Sequence, residues 1–357
     1  MTTHNYAGGV LLPESTPGPT GGPPVSWTQR MFQPQSAWLS FAVRRSASLL
    51  ATFMALLIVS FLVVQLIPGD PAVGIAGPNA DAADIENIRH RLGLDLPLGQ
   101  RFLEYVSGVL SGNLGTSFMY NQPVQTIIMN RLPFTATIAL SGIVVVLLVA
   151  VPLGMLIGVL TRGGRRGWLD TGFGVLTGFL DSIPGYIMAS VLVLVFAFGI
   201  GIFPVLPPAY SPRFGTASFV LPVAALVIGP ICTVSRVVRR ETAVVLENDY
   251  IRTARGWRLP SVKLYLKYAL PNLLTATLTL SGLILSGMLG GAIIIETVFA
   301  LPGLGSGIIK AILDRDYLVI QGMVLVIGMI AAAINLFVDI LLGLIDERTL
   351  GGSRAGA

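Results

Sequence analysis

The chain has 357 residues, of which 53% are hydrophobic and only 11% charged, against about 25% charged in an ordinary globular domain. That balance excludes a soluble globular protein and, with its hydrophobic majority, a disordered one; an integral membrane protein remains. A net charge of +5 would suggest a nucleic-acid partner in a soluble chain, but in a membrane chain it reads as Lys and Arg gathered in cytoplasmic loops, and no nucleic acid is assigned as a partner.

Residues 1–41 are rich in Gly, Pro, Ser and Thr, with runs such as Pro17-Gly18-Pro19 and Gly21-Gly22-Pro23-Pro24. Such a segment cannot bury a core, so a disordered cytoplasmic tail is expected. Stretches without Asp, Glu, Lys or Arg follow, each long enough for the ~20 helical residues that cross a bilayer. They predict six spans over 47–67, 134–160, 174–200, 218–237, 272–297 and 319–345. The run Ile143–Val151 shows no alternation of polarity, which argues against barrel strands. The first span exceeds a signal-peptide core, and Ile67-Pro68-Gly69-Asp70-Pro71 is a poor cleavage site, so it is read as a retained anchor. The organisation expected is a tail over 1–41, a first helix over 42–67, an extracytoplasmic region over 68–133, a five-helix core over 134–346 with a cytoplasmic loop over 238–271, and a second tail over 347–357. Within 68–133, Asp81–Leu92 reads as a helix started by Asp81 or Asp84.

With the N-terminus inside, the cytoplasmic pieces hold 16 of the 23 Lys and Arg residues and the outer pieces hold 7. This predicts both termini on the cytoplasmic side.

Catalytic chemistry finds little footing. One cysteine, Cys232, excludes an internal disulfide and a Cys-based zinc site. Both histidines, His4 and His90, fall outside the spans. No phosphate loop of the form G-x-x-x-x-G-K-[ST], no G-x-S-x-G and no H-E-x-x-H is present. No metal, cofactor or catalytic residue is assigned. Asp181, Glu296 and Asp339 lie near span ends, where pairing or hydration can satisfy them; they form no mid-bilayer relay of the kind proton coupling would use. Small residues recur every four positions at Gly154/Gly158, Gly174/Gly178, Gly282/Ser286/Gly290 and Gly287/Gly291, which makes flat stripes for close helix approach. Pro152, Pro184, Pro222 and Pro230 are read as helix interruptions beside protein or a wet cavity.

The most informative stretch is the basic inner segment. Glu247, Asp249, Tyr250, Arg252, Thr253, Ala254, Arg255 and Leu259 lie where apolar and charged residues alternate at helical spacing, ahead of the breaker Pro260. A short helix at the membrane surface is predicted around 247–259. Its residues fit both an anionic-lipid-binding interfacial helix and a docking knob for a cytoplasmic partner.

This segment resembles the EAA loop of ABC-importer permeases, in the Tyr-[Val/Ile]-Arg-Thr-Ala-Arg-Ala-Lys-Gly-Leu form of the dipeptide/oligopeptide (nickel) family. Tyr250 to Arg255 and Leu259 match, while Gly256, Trp257 and Arg258 replace Ala-Lys-Gly; Asn272 matches further on. Pro68-Gly69-Asp70-Pro71, Leu92-Gly93-Leu94-Asp95 with Pro97 and Gln100, and Gly112-Asn113-Leu114-Gly115-Thr116-Ser117 follow the same family order. So do Arg131-Leu132-Pro133 with Thr135, Ile183-Pro184, Glu296-Thr297-Val298-Phe299, Pro302-Gly303-Leu304-Gly305, Arg315-Asp316-Tyr317, and Asn335 with Asp339. The end departs, with Asp346-Glu347-Arg348 in place of Asp-Pro-Arg, and residues 1–41 are not covered.

The resemblance implies an all-α type I importer permease of the first-permease kind in a bacterial inner membrane. It implies a second homologous permease subunit, two cytoplasmic ATPase subunits and an extracytoplasmic substrate-binding protein as partners, besides membrane lipid, with ATP hydrolysed on another chain. It casts residues 247–259 as the ATPase-coupling helix and Glu296, Phe299, Pro302 and Gly303 as part of an outer gate. Peptides are the expected cargo, with nickel complexes or glutathione as alternatives. From other classes, an ion- or proton-driven carrier and a non-transporting scaffold with a working tail stand beside this reading.

Overall fold

The computed structural model describes residues 33–66, 71–76, 80–91, 93–198, 206–257 and 260–345. Twelve helices are labelled here: α1 (Gln33–Leu66), α2 (Pro71–Ala76), α3 (Ala82–Arg91), α4 (Leu98–Leu110), α5 (Val124–Leu160), α6 (Gly167–Asp181), α7 (Gly185–Phe196), α8 (Val220–Val245), α9 (Asp249–Gly256), α10 (Leu270–Val298), α11 (Leu304–Leu313) and α12 (Tyr317–Ile345). The fold is all-α, and among the described residues β structure is confined to the isolated bridge Thr116–Pro123. Segments in α1, α5, α8, α10 and α12 are each long and apolar enough to cross a bilayer. The pair α6 and α7 becomes a sixth span if its bend of 96° is counted as one crossing.

Several boundaries differ from the sequence expectation. Helix α1 begins at Gln33, so residues 33–41 are helical where a tail was expected; residues 1–32, Pro68–Asp70 and 346–357 lie outside the described residues. Helix α5 begins at Val124, after Pro123, ten residues before the apolar run. At 1.5 Å per residue its 37 residues span about 55 Å, so it projects well beyond a hydrocarbon core of about 30 Å. The span expected over 174–200 is broken at Ser182-Ile183-Pro184, because proline lacks an N–H and disfavours helical geometry in the residue before it. Pro152 and Pro230, by contrast, sit inside continuous α5 and α8, and Pro222 lies in the first turn of α8. Of these four prolines only Pro184 divides a span. Helix α3 agrees with the sequence, capped where Asp84 N–H donates to Asp81 Oδ1 at 2.8 Å.

The largest helix interface joins α5 to α8, and glycine makes it possible. A Cβ at Gly154 would sit 2.6 Å from the Ser235 carbonyl oxygen, and one at Gly158 2.8 Å from that of Arg239. With no water to drive helices together in lipid, such backbone approach supplies the packing. Gly282 makes room for the Val338 side chain of α12, and Ser286 donates to Asn335 at 3.0 Å. The other stripes differ: Gly174, Gly178, Gly287 and Gly290 have open space at their Cβ positions. Ion pairs tie the elements near the Arg162 end of the bundle, Arg236 to Asp181 at 2.6 Å, Arg239 to Asp170 at 2.5 Å and Arg45 to Asp339 at 2.7 Å. Asp181 and Asp339 are therefore paired carboxylates.

Gly154→Ala is expected to destabilise the purified protein by about 1–3 kcal/mol through overpacking, read as an earlier thermal unfolding midpoint in detergent. Gly174→Ala, with open space around it, is expected to be neutral or slightly stabilising, since alanine favours helix.

Candidate functional site

Three features carry functional interest: a short helix at the basic end of the bundle, a buried carboxyl cluster at the opposite end, and an apolar cavity between them.

The short helix is α9. The long α8 stops at Val245, and Asn248 starts α9 by accepting the Ile251 and Arg252 N–H groups on its carbonyl at 3.1 and 3.2 Å. Asp249 in the first turn and Arg255 in the last complement the helix dipole. The helix is strongly two-faced. Ile251 and Ala254 are fully buried, in one apolar cluster with Leu246, Leu264 and Ala269. Glu247, Asp249, Tyr250, Arg252, Thr253 and Trp257 are exposed, and Arg255 is half-buried. Ala254, read from the sequence as a contact position, thus faces its own chain. Arg162 Nη2 donates to the Leu246 carbonyl at 2.8 Å and pins the turn that launches α9 to the end of α5. A π-helical turn over Leu264–Ala269 lies beneath it and leads into α10. Arg258 and Leu259 lie outside the described residues.

The carboxyl cluster centres on Glu296, which has no exposed surface. Its Oε1 accepts Thr135 Oγ1–H at 2.6 Å, and its Oε2 accepts the Ser306 N–H at 2.9 Å. Thr135 in turn accepts the Leu304 N–H at 2.8 Å. One helical turn before Thr135, Arg131 Nη1 donates to the Gly303 carbonyl at 3.3 Å. The backbone over 299–306 wraps the carboxyl so closely that a Cβ at Gly303 would collide with it, and one at Gly305 would strike Ile293. Phe299 is fully buried, and its carbonyl accepts the Tyr210 N–H at 2.7 Å, which ties down the loop ahead of α8. The structure therefore brings Glu296, Phe299 and Gly303 into one tight knot, with Pro302 half-buried beside them. Thr135, Arg131 and Ser306 complete it. Their signal in the sequence is the i, i+4 spacing of Arg131 and Thr135 on one face of a helix.

A second tie lies nearby. Ser117 donates to the buried Asp316, Tyr120 donates to Asp314 at 3.3 Å, and Lys310 lies 5.4 Å from the Tyr120 ring centre. The Gly112–Ser117 and Arg315–Tyr317 segments, far apart in sequence, thus meet.

The cavity has a volume of about 390 Å³ and opens at the α6–α7 break. Leu180, Ile183, Met188, Leu226, Gly287 and Gly291 are among its walls. Asp181 stands at its edge, 3.5 Å from where a Gly229 Cβ would be, and is held by Arg236 and by Thr233 Oγ1 at 3.2 Å. The walls are apolar, with a single paired carboxylate at the rim. Among the described residues no group of His, Cys, Asp and Glu could hold a metal ion.

Thr135→Val would leave the Leu304 N–H and one Glu296 oxygen without partners. It is expected to cost about 1–3 kcal/mol, measured as a lower unfolding midpoint of the purified protein, with Thr135→Ser restoring most of the loss.

Two family profiles match in tandem: the N-terminal membrane component of binding-protein-dependent transport systems over residues 38–139, and the inner membrane component of the same systems over residues 150–351. A Brucella abortus protein, named as a candidate peptide transport system permease, is 37% identical over 309 residues, covering 86% of this chain and 97% of its own. The dipeptide transport system permease protein DppB of Lactococcus lactis is 33% identical over 312 residues, covering 87% of this chain and 99% of its own. The glutathione transport system permease protein GsiC of Salmonella choleraesuis is 34% identical over 311 residues, covering 86% and 98%. Among solved structures, an inward-facing form of the MetNI methionine ABC transporter shares the fold, with a TM-score of 0.51 at 16% identity, over 62% of this chain and 97% of that one. The chain belongs to the family of inner membrane components of binding-protein-dependent transport systems.

Proposed function

We propose that this chain is one membrane-spanning half of an ATP-driven importer for small peptides. On this reading α9 takes up the movement of a cytoplasmic ATPase and passes it into the spans. The observation that carries it is the two-faced α9: Ile251 and Ala254 lock it to the body, while Tyr250, Arg252 and Thr253 are exposed where a partner can reach them. A lever needs both a rigid root and an exposed contact face, and this helix has both.

The remaining assignments follow from it. The end bearing α9 is cytoplasmic, which agrees with the excess of Lys and Arg there, and both termini lie on that side. Two ATPase subunits, a second homologous permease and an extracytoplasmic substrate-binding protein complete the assembly. The second permease covers the open faces at Gly174, Gly178, Gly287 and Gly290, so the apolar cavity between α6–α7, α8 and α10 becomes part of the path. The knot around Glu296, Phe299, Pro302 and Gly303 frames the outer mouth of that path. ATP binding favours one of two access states only as far as the ATPase grips α9 more tightly in that state. Peptide cargo agrees with the names of the dipeptide and peptide relatives, and glutathione, itself a short peptide, with the name of a third.

Arg252→Glu reverses a charge on the exposed face of α9 without touching its root. Co-purification of the ATPase is expected to fall about tenfold, with ATP-dependent peptide uptake into vesicles falling in step and the unfolding midpoint of the permease unchanged. Undiminished uptake would remove α9 from the coupling path. Uptake driven by a proton gradient without nucleotide would favour the secondary-carrier reading instead.

A further inference from the structure

A second pocket, of about 290 Å³, lies far from the cavity described above, between α1, α4 and the start of α12. Phe61, Arg101, Glu104, Tyr105, Tyr317 and Gln321 contribute to its walls. Gln321, only 7% exposed, brings its amide to the same walls. Arg101 and Glu104 lie one turn apart on α4, line the same pocket, and form no ion pair with each other or with another described residue. Burial lowers the Arg101 pKa from its ordinary value, a sign of partial desolvation. Tyr105 is already engaged, sharing a hydrogen bond of 2.8 Å with Ser60. Its ring stacks against Phe61, and Phe102 meets Phe61 edge-on, so α4 is fixed against α1.

The surroundings identify the medium. Helix α4 is amphipathic and leaves Leu103 and Leu110 exposed, 68% and 71%, beside the open apolar flank of α1 at Leu62 and Leu66. An amphipathic helix with bare leucines at the end of a membrane span lies in the headgroup region with those leucines in the acyl chains. The pocket therefore opens at the lipid boundary.

We propose that this pocket holds the headgroup of an amino-phospholipid of the phosphatidylethanolamine type. Arg101 meets the phosphate, Glu104 accepts from the ammonium, Gln321 supplies a further hydrogen bond, and the acyl chains run along α1 past Phe61. Separated and unpaired opposite charges select a zwitterion over a purely anionic lipid. Hydrogen-bond acceptors select a primary ammonium over a quaternary one, which has no N–H to donate.

The test is lipid retention by the intact transporter complex in mild detergent, read by native mass spectrometry. Phosphatidylethanolamine, phosphatidylcholine and phosphatidylglycerol with identical chains are the probes, and dialanine is a soluble zwitterionic competitor. The wild-type complex is expected to retain phosphatidylethanolamine about tenfold better than phosphatidylcholine, the change one charge-assisted hydrogen bond carries. Glu104→Gln is expected to erase that preference without moving the unfolding midpoint. Arg101→Gln is expected to weaken retention of all three lipids. Equal retention of the two zwitterionic lipids by the wild type, or a preference that survives Glu104→Gln, would overturn the proposal. Displacement of the lipid by millimolar dialanine would overturn it too, and assign the pocket to a soluble zwitterion.

Discussion

A carboxyl group sealed inside a membrane protein is costly without partners, because neither water nor lipid can supply them. Glu296 finds donors in two parts of the chain, a threonine on α5 and a backbone amide in the first turn of α11. Each donor is useful only where the other also reaches, so the end of α10, the face of α5 and the loop between α10 and α11 fix one another. Gly303 and Gly305 are a consequence: the loop can close over the carboxyl only if those positions lack side chains. The same demand explains why Phe299 is buried as an anchor rather than left in a passage.

The rest of the bundle is assembled by a different rule. In lipid, greasiness does not distinguish one neighbour from another, so contact depends on shape. Where α5 and α8 cross, glycines let backbone approach backbone, and arginines on α8 then reach carboxylates on α6. These pairs are about one-third exposed and contribute modestly to stability. Their value is in register, because they align α6 with α8 at the end where α9 begins.

Much of this was legible in the sequence, for a physical reason in each case. Long uncharged runs leave no alternative to helices in a bilayer, so the spans and the fold class could be read directly. Asp81 announced α3, and the charged, two-faced stretch after Asn248 announced α9. What could not be read was direction. The same four-residue spacing describes Gly154/Gly158, packed to contact, and Gly174/Gly178, which meet nothing within the chain. Four prolines look alike in sequence, yet only Pro184 divides a span; Pro152 and Pro230 sit where neighbouring turns carry the helix through, and Pro222 lies in a first turn. Ala254 reads as a surface residue from its motif and is buried because the π-turn beneath α9 supplies a floor that no local pattern reveals. Thr135 matters through a partner 161 positions away, and pairing at such range follows from the fold alone.

The elbow between α6 and α7 has a mechanical consequence. A straight helix passes thrust along its own axis, but two stiff rods meeting at 96° convert it. Since α6 is tied to α8 at both Asp170 and Asp181, the two helices are held in one alignment, and the corner at Pro184 sets the direction in which α7 leaves them. The width of the cavity at that wall, where Ile183, Gly185 and Met188 line it, is therefore set by the angle of one corner.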